Sequence, residues 1–234
     1  MSTVKISWSG GKDSTASVIL HSQSGDICKI VYYIPMLTES IPLIRKAHYD
    51  FIQGAVDRFT QAGLQCYQAH GMTYEDHVTR VVTRGPRKGQ IMGYGLGHGF
   101  CTFRDLSKVK ALERVDVGCY DYVDIGIAAD EYRRHGQLTQ AKRSILFERH
   151  ITEAQAREIC IKHGLLSPIY KEVGRDGCVI CPNAKPQVIQ QWALDYPQGV
   201  DVLKHLEYVA DTYATKRKIY RDGTKWSDRI CATT

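Results

Sequence analysis

Ser9-Gly10-Gly11-Lys12-Asp13-Ser14 decides how this chain is read. Val4-Lys5-Ile6-Ser7-Trp8 ahead of it reads as a short strand, and Thr15-Ala16-Ser17-Val18-Ile19-Leu20-His21 behind it as the first turns of a helix. A strand that passes through two glycines into a helix builds a cradle for an anion. The glycines permit a sharp turn and remove the Cβ atoms that would hold a phosphate away. The helix then offers unpaired N–H groups and the positive end of its dipole. Ser9 and Ser14 add hydroxyl donors, and Lys12 adds a mobile positive charge. The spacing is not that of a Walker A loop, which sets four residues between its first Gly and the Gly-Lys-Ser/Thr. An ordinary glycine-containing strand–helix turn is the plain alternative. The first-strand location and the flanking periodicity weigh against it.

The 234 residues suffice for one α/β domain with an appendage and a substantial core. No apolar run reaches membrane-spanning length and the first residues lead straight into a strand, so neither a membrane partner nor a signal peptide is expected. The eight cysteines are therefore expected in a reducing cytoplasm, as thiols or metal ligands rather than disulfides. The formal charge of +6 is clustered, with Arg80, Arg84, Arg87 and Lys88 in one stretch and Arg133, Arg134, Lys142 and Arg143 in another. Such clusters suit nucleotide phosphates or a nucleic acid, and an ordinary solvated basic face accounts for either one as well.

Further along, Ile27 to Ile34 is a nearly continuous apolar run, as for a strand buried on both faces, and Pro35 ends it. Ile41, Ile44, Phe51, Ile52, Ala55, Val56 and Phe59 recur at helical spacing up to Gly63, and Leu64 to Ala69 reads as a third strand. This order predicts an α/β fold with a doubly wound parallel sheet, whose ligands bind beyond the carboxyl ends of the strands. Gly71 to Gly99 reads as a flexible, substrate-facing lid. Phe100 to Leu112 reads as a loop entering a helix, and Tyr122 to Ile127 as a further strand that delivers Asp130, Glu131, Arg133 and Arg134 to the same edge. That run is a candidate for Mg²⁺ and phosphate handling, while a helix-capping Asp with surface arginines is the simpler reading of it alone. Ser144 to Phe147 is expected as a short strand, and Thr152-x-x-Gln155 as the capping pattern of a helix that Gly164 closes. Helices over about Pro186 to Leu194 and Val200 to Lys218, then a polar tail, form a small C-terminal helical cap. The expected division is residues 1–182, a nucleotide-binding domain, and residues 183–234, a helical extension.

Four blocks, in order, carry a family resemblance. They are the Ser9–Ser14 loop; Cys101-Thr102 with Lys108-Val109-Lys110; Gly126-Ile127 through Asp130-Glu131 and Arg134; and Ser167-Pro168-Ile169-Tyr170 leading to Gly174-Arg175 and Gly177-Cys178-x-x-Cys181-Pro182. Together they resemble the phosphoadenosine-phosphosulfate-reductase branch of the PP-loop ATP pyrophosphatases, over most of the chain up to about Pro182. The true reductases carry a degenerate loop and a Glu-Cys-Gly-Leu tail; here the loop is complete and the tail reads Arg229-Ile230-Cys231-Ala232. The resemblance thus implies cleavage of ATP between its α and β phosphates, as in the small subunit of sulfate adenylyltransferase and the adenylating protein of DNA phosphorothioation. Two other readings stay open: a thiol-dependent reductase of an adenylyl sulfate with Cys231 as nucleophile, and a nucleotide-binding protein without turnover.

Cys178-x-x-Cys181 lets two thiolates face one metal, and Cys101 matches the family's upstream cysteine, so the cap region is expected to carry a metal site of Cys101, Cys178 and Cys181. A 4Fe-4S cluster is the first expectation, Zn²⁺ the second and no metal the third, with Cys119 or His98 as a further ligand. Cys28, Cys66 and Cys160 read as buried small hydrophobes. In the mechanism implied, Ser9, Gly10, Gly11, Lys12, Asp13 and Ser14 hold the phosphates of ATP, with the adenine beside Ile34. Mg²⁺ is held with the help of Asp13 and Asp130. Lys12 meets the charge of the leaving pyrophosphate, and Arg134 and Arg175 hold the acceptor or the AMP phosphate. Sulfur from a donor protein or sulfide then displaces AMP from an acceptor, for which a nucleic acid is one candidate and a homodimer one candidate assembly.

Overall fold

A computed structural model describes residues 1–94, 96–97, 100–172, 177–181, 183–214 and 224–231. In chain order its elements are β1 (Thr3–Trp8), α1 (Lys12–Gln23), β2 (Ile27–Tyr33), α2 (Lys46–Gln61), β3 (Gln65–Ala69), α3 (Tyr74–Thr79), β4 (Leu96–Gly97) and β5 (Phe100–Cys101). A π-helical turn (Arg104–Val109) then leads into α4 (Lys110–Arg114). There follow β6 (Tyr122–Ile125), α5 (Tyr132–His135), β7 (Lys142–Arg143), α6 (Ile145–Glu148), α7 (Glu153–Lys162), α8 (Ile169–Glu172), α9 (Pro186–Asp195), α10 (Pro197–Tyr213) and α11 (Trp226–Cys231). Two compact units interleave along the sequence. One comprises Met1–Tyr33, Ala47–Ala69 and Leu112–Glu172; the other comprises Ile34–Lys46, His70–Ala111 and Val173–Thr234. The single cut expected at residue 182 does not coincide with this grouping.

The first unit is built on a five-stranded, all-parallel sheet in the order β3-β2-β1-β6-β7. β1 is central and carries Val4, Ile6 and Trp8 into the core, as its apolar positions require. The chain builds outward from β1 to β2 and β3 on one side, then returns to place β6 and β7 on the other. The order therefore reverses between β1 and β6, the place in such sheets where ligands bind beyond the strand ends. α1 packs Ala16 and Leu20 against Ile145 and Leu146 of α6 and Ala156 and Cys160 of α7. α7 begins with the full capping box, Thr152 and Gln155 bonding reciprocally, as its sequence predicts.

Ser144 to Phe147 is a helix rather than the expected strand. The strand β7 ends one residue earlier, at Arg143, and Ser144 takes the N-cap position of α6, its Oγ accepting from Phe147 N at 3.4 Å and donating to Ile127 O at 2.7 Å. A serine satisfies orphan helix N–H groups, which outweighs the strand-like Ile-Leu-Phe run.

The second unit has its own core, including Leu37, Tyr74, Tyr94, Phe103, Trp192 and Trp226. Trp192 donates its indole N–H to Pro42 O at 2.8 Å, and Tyr94 donates its hydroxyl to Asp211 at 2.9 Å, so the polar tips of these two buried rings are satisfied. The expected lid is largely structured. It contains α3, capped by Thr73, and an antiparallel ribbon over residues 80–92. Residues 100–112 form the short strand β5, the π-helical turn and the start of α4. The expected C-terminal helices are α9 and α10, and part of the expected polar tail is helical as α11, with Trp226 buried. No helix among the described residues is long and apolar enough to cross a membrane.

One buried charge cluster ties α1 to the sheet. His21 Nδ1 lies 2.9 Å from Asp26, and its Nε2 lies 3.4 Å from Asp124, whose Oδ1 also accepts from Ile145 N at 2.8 Å. Burial alone lowers the pKa of His21, but the bonds and charges of Asp124 and Asp26 outweigh it and raise the pKa above its ordinary value. The resulting stability is complete below the unfolded-chain value of about 6.5 and is lost as pH rises through the higher folded value. The urea midpoint should accordingly fall from about pH 6 to pH 9 through this group. A His21→Gln variant should lose that part of the slope; an identical slope in the variant would refute the linkage.

Candidate functional site

The loop between β1 and α1 owes its shape to two close approaches. Gly10 has φ +74°, a conformation that costs other residues about 1 kcal/mol. A Cβ there would lie 2.7 Å from Ile52 Cγ1 and 2.9 Å from His48 Cε1 on α2. Gly126, just beyond β6, is tighter still: a Cβ would lie 2.5 Å from Ser14 N and 2.7 Å from the Asp13 carbonyl carbon. Backbone thus packs on backbone where the strand order reverses, and the first turn of α1 is brought against the end of β6.

The N-cap of α1 is Gly11, which has no side chain to bond the first N–H groups. One of these, Lys12 N, donates to the hydroxyl of Tyr170 at 2.9 Å. Ser9 and Ser14 face each other across the loop, their hydroxyls 3.2 Å apart, with Ser9 N donating to Ser14 Oγ at 3.2 Å. Ser9 Oγ also accepts from Gly11 N at 3.4 Å. Underneath, Cys160 donates its thiol to Lys12 O at 3.1 Å. Burial, with the neighbouring Asp13 charge, pushes that thiol up to about 12, so it is a structural support rather than a nucleophile.

His48 joins two parts of the site. Its Nδ1 is 2.9 Å from Ser167 Oγ, and the ring is also bonded to the Ser9 backbone. Burial holds its pKa down to about 4 against the pull of the Ser9 bond, so the ring is neutral at pH 7 and Ser167 donates to Nδ1. The Ser167–Tyr170 segment is thereby held to the loop at both ends, by His48 and by Lys12 N.

The charges converge at the start of α1. Lys12 Nζ bonds both oxygens of Asp13, at 2.8 and 3.0 Å, and lies 3.3 Å from Glu153. Asp13, Glu131 and Glu153 bring one carboxylate oxygen each within 4.8 Å of one another. The ion pair does not act equally on its partners. Burial lowers the Lys12 pKa, but Asp13 and Glu153 outweigh it and raise the value. Burial also raises the Asp13 pKa, Lys12 opposes this, and Glu153 and Glu131 add to it, leaving the carboxyl above its usual range. Negative charge is in excess here.

Of the predicted site residues, Ser9, Gly10, Gly11, Lys12, Asp13 and Ser14 form one loop. Asp130 does not join Asp13: its Oδ1 accepts from Glu153 N at 3.1 Å, so it caps the first turn of α7, the simpler of its two readings. Glu131 and Glu153 take the place expected of it. Arg134 is largely exposed and pairs with Glu131 at 2.5 Å. Ile34 follows the last residue of β2 and is buried. Arg175 and His98 lie outside the described residues.

Cys101, Cys178 and Cys181 all belong to the second unit and are half-buried. Cys181 N donates to Cys178 O at 2.9 Å, the tight turn expected of Cys-x-x-Cys, and Cys101 and Cys178 pack against the same apolar core. Burial raises the Cys101 pKa, Arg104 N opposes this, and the neighbouring Cys181 adds to it. The three thiols do not form a trio within 4.8 Å. Of the other cysteines, Cys28 and Cys160 are buried as expected, while Cys66 is only half-buried on the edge strand β3. The sequence reading passed over Glu153, His48 and the role of Tyr170, each of which reaches the loop from far along the chain.

No protein-family model matches the chain, and no curated protein matches it either.

Proposed function

We propose that the chain is a PP-loop enzyme that cleaves ATP to AMP and pyrophosphate and adenylates an acceptor in sulfur transfer. The observation that carries the reading is the helix end at Gly11–Ser14, which has no side-chain cap, is lined by Ser9, Ser14 and Lys12, and lies where the strand order reverses. In this mechanism an acceptor oxygen attacks the α-phosphorus, the bond to the α–β bridging oxygen breaks, and pyrophosphate departs with the electron pair. Lys12 and the first N–H groups of α1 meet the charge that develops on the leaving group. The Tyr170 hydroxyl is bonded to one of those N–H groups, so it gives way to a phosphate oxygen or donates to it.

Asp13, Glu131 and Glu153 have the hard oxygen donors and the surplus negative charge that suit Mg²⁺, and they are the residues that would hold it. The ion would neutralise phosphate charge there. Cys101, Cys178 and Cys181, whose thiolates are the ordinary ligands of iron–sulfur clusters, are the residues that would hold a 4Fe-4S cluster. The cluster would hold the sulfur to be transferred.

Incubation with α-labelled ATP and Mg²⁺ should yield AMP and pyrophosphate. Lys12→Ala should slow that release by about a hundredfold, the scale for losing one preorganised charge at a developing anion. Release of ADP and phosphate instead would overturn the assignment. Protein purified without oxygen should contain iron and sulfide and absorb in the visible, and a Cys178→Ser, Cys181→Ser double variant should lose both. Zinc alone would refute the cluster.

A further inference from the structure

The positive charge of this protein is segregated. The second unit carries 18 Lys and Arg against 11 Asp and Glu, whereas the first carries 13 against 14. Within the second unit, the chain between Asp76 and Asp105 has no acidic residue and five basic ones: Arg80, Arg84, Arg87, Lys88 and Arg104.

Four of these five lie on the ribbon that follows α3. Its two sides are joined by Met92 N to Arg80 O, Val82 N to Gln90 O and Gly89 N to Val82 O, each at 2.8 Å, around an antiparallel bridge of Val81 and Ile91. Gly93 N donates to Val78 O at 3.1 Å and Val78 is buried in the core, so the base of the ribbon is fixed. The tip is Arg84-Gly85-Pro86-Arg87-Lys88-Gly89, turned by Gly85 at φ +78° and Gly89 at φ +86°. Arg84, Gly85, Pro86, Lys88 and Gly89 are exposed, as is Val81.

Among the described residues none of Arg80, Arg84, Arg87 and Lys88 forms an ion pair, and Arg87 Nη2 reaches only Met92 Sδ, at 3.9 Å. Arg80 Nε and Arg87 Nη1 are shielded from solvent without a hydrogen-bond partner. The exposed Arg84 and Lys88 at the tip, with no ion-pair partner among the described residues, are the cations an external anion can reach.

We propose that the 80–92 ribbon is an arm that binds duplex DNA, its basic side chains on the phosphates of one groove. The segment is a narrow hairpin pinned by one antiparallel bridge, Val81 with Ile91, and the major groove of B-DNA, about 12 Å wide, admits such an element, whereas the deep, narrow major groove of an RNA helix does not. Guanidinium groups strung along a ribbon match a row of phosphates better than they match one mononucleotide. A protein partner would be expected to meet an apolar centre, and the exposed face of the ribbon offers only Val81 and Pro86. The proposal does not rest on ATP cleavage, and its test uses no nucleotide, so the two readings fail separately.

The test is fluorescence anisotropy of a labelled DNA duplex across a salt series, with the wild type and an Arg84→Gln, Lys88→Gln double variant. Both side chains are exposed, and an unchanged thermal midpoint will show that the variant folds. The wild type should bind with an affinity that falls steeply with salt. The variant should bind about tenfold more weakly, with a log–log salt slope shallower by about 1.8, at roughly 0.9 per lost phosphate contact. Absence of binding at low salt, the same affinity and slope in the variant, or competition by polyglutamate as effective as by DNA would overturn the proposal.

Discussion

The first turn of α1 touches the backbone at Gly126 with no room for a side chain between them. That contact joins the two strands at which the sheet order reverses, and the local arrangement depends on it. With the helix start fixed against β6, the preceding loop must turn through Gly10 in a left-handed conformation against α2. The helix begins at a glycine, so its donors are left for groups from outside the helix. Tyr170 takes one of them. A phosphate is the chemical group that satisfies several at once.

The electrostatics follow from the same placement. Three carboxylates and one ammonium gather at the helix start, and burial adds to the strain on Asp13. A helix N-terminus favours negative charge, which helps to explain why so many carboxylates are tolerated there. The polyphosphate proposed for the site would add more, and a divalent cation is the simplest means of compensating it. Lys12 already holds Asp13 and Glu153 and would have to shift its contacts as a phosphate arrives.

The sequence was most legible where the interactions are local. The β1–loop–α1 unit, the Thr152 capping box and the parallel strands β2 and β3 each follow from a few adjacent residues. Asp130 was ambiguous because a carboxylate after a strand serves a metal or a helix end equally well, and only the approach of Glu153 N decides for the cap. Glu153 and His48 gave no local signal, since each reaches the loop from a helix over a hundred or some forty positions away in the case of Glu153 and His48 respectively. The Ser144–Phe147 run misled because its apolar residues suit a strand, while one serine oxygen starts a helix. The interleaving of the two units was not readable, because it arises from packing among distant segments.

The central claim is that the loop between β1 and α1 grips the phosphates of ATP. Backbone amide shifts, followed as a non-cleavable α,β-methylene analogue of ATP is titrated in with Mg²⁺, test it most directly. The largest saturable changes should fall on Gly10 to Thr15 and on Tyr170. Saturable binding that leaves those amides unmoved would contradict the account.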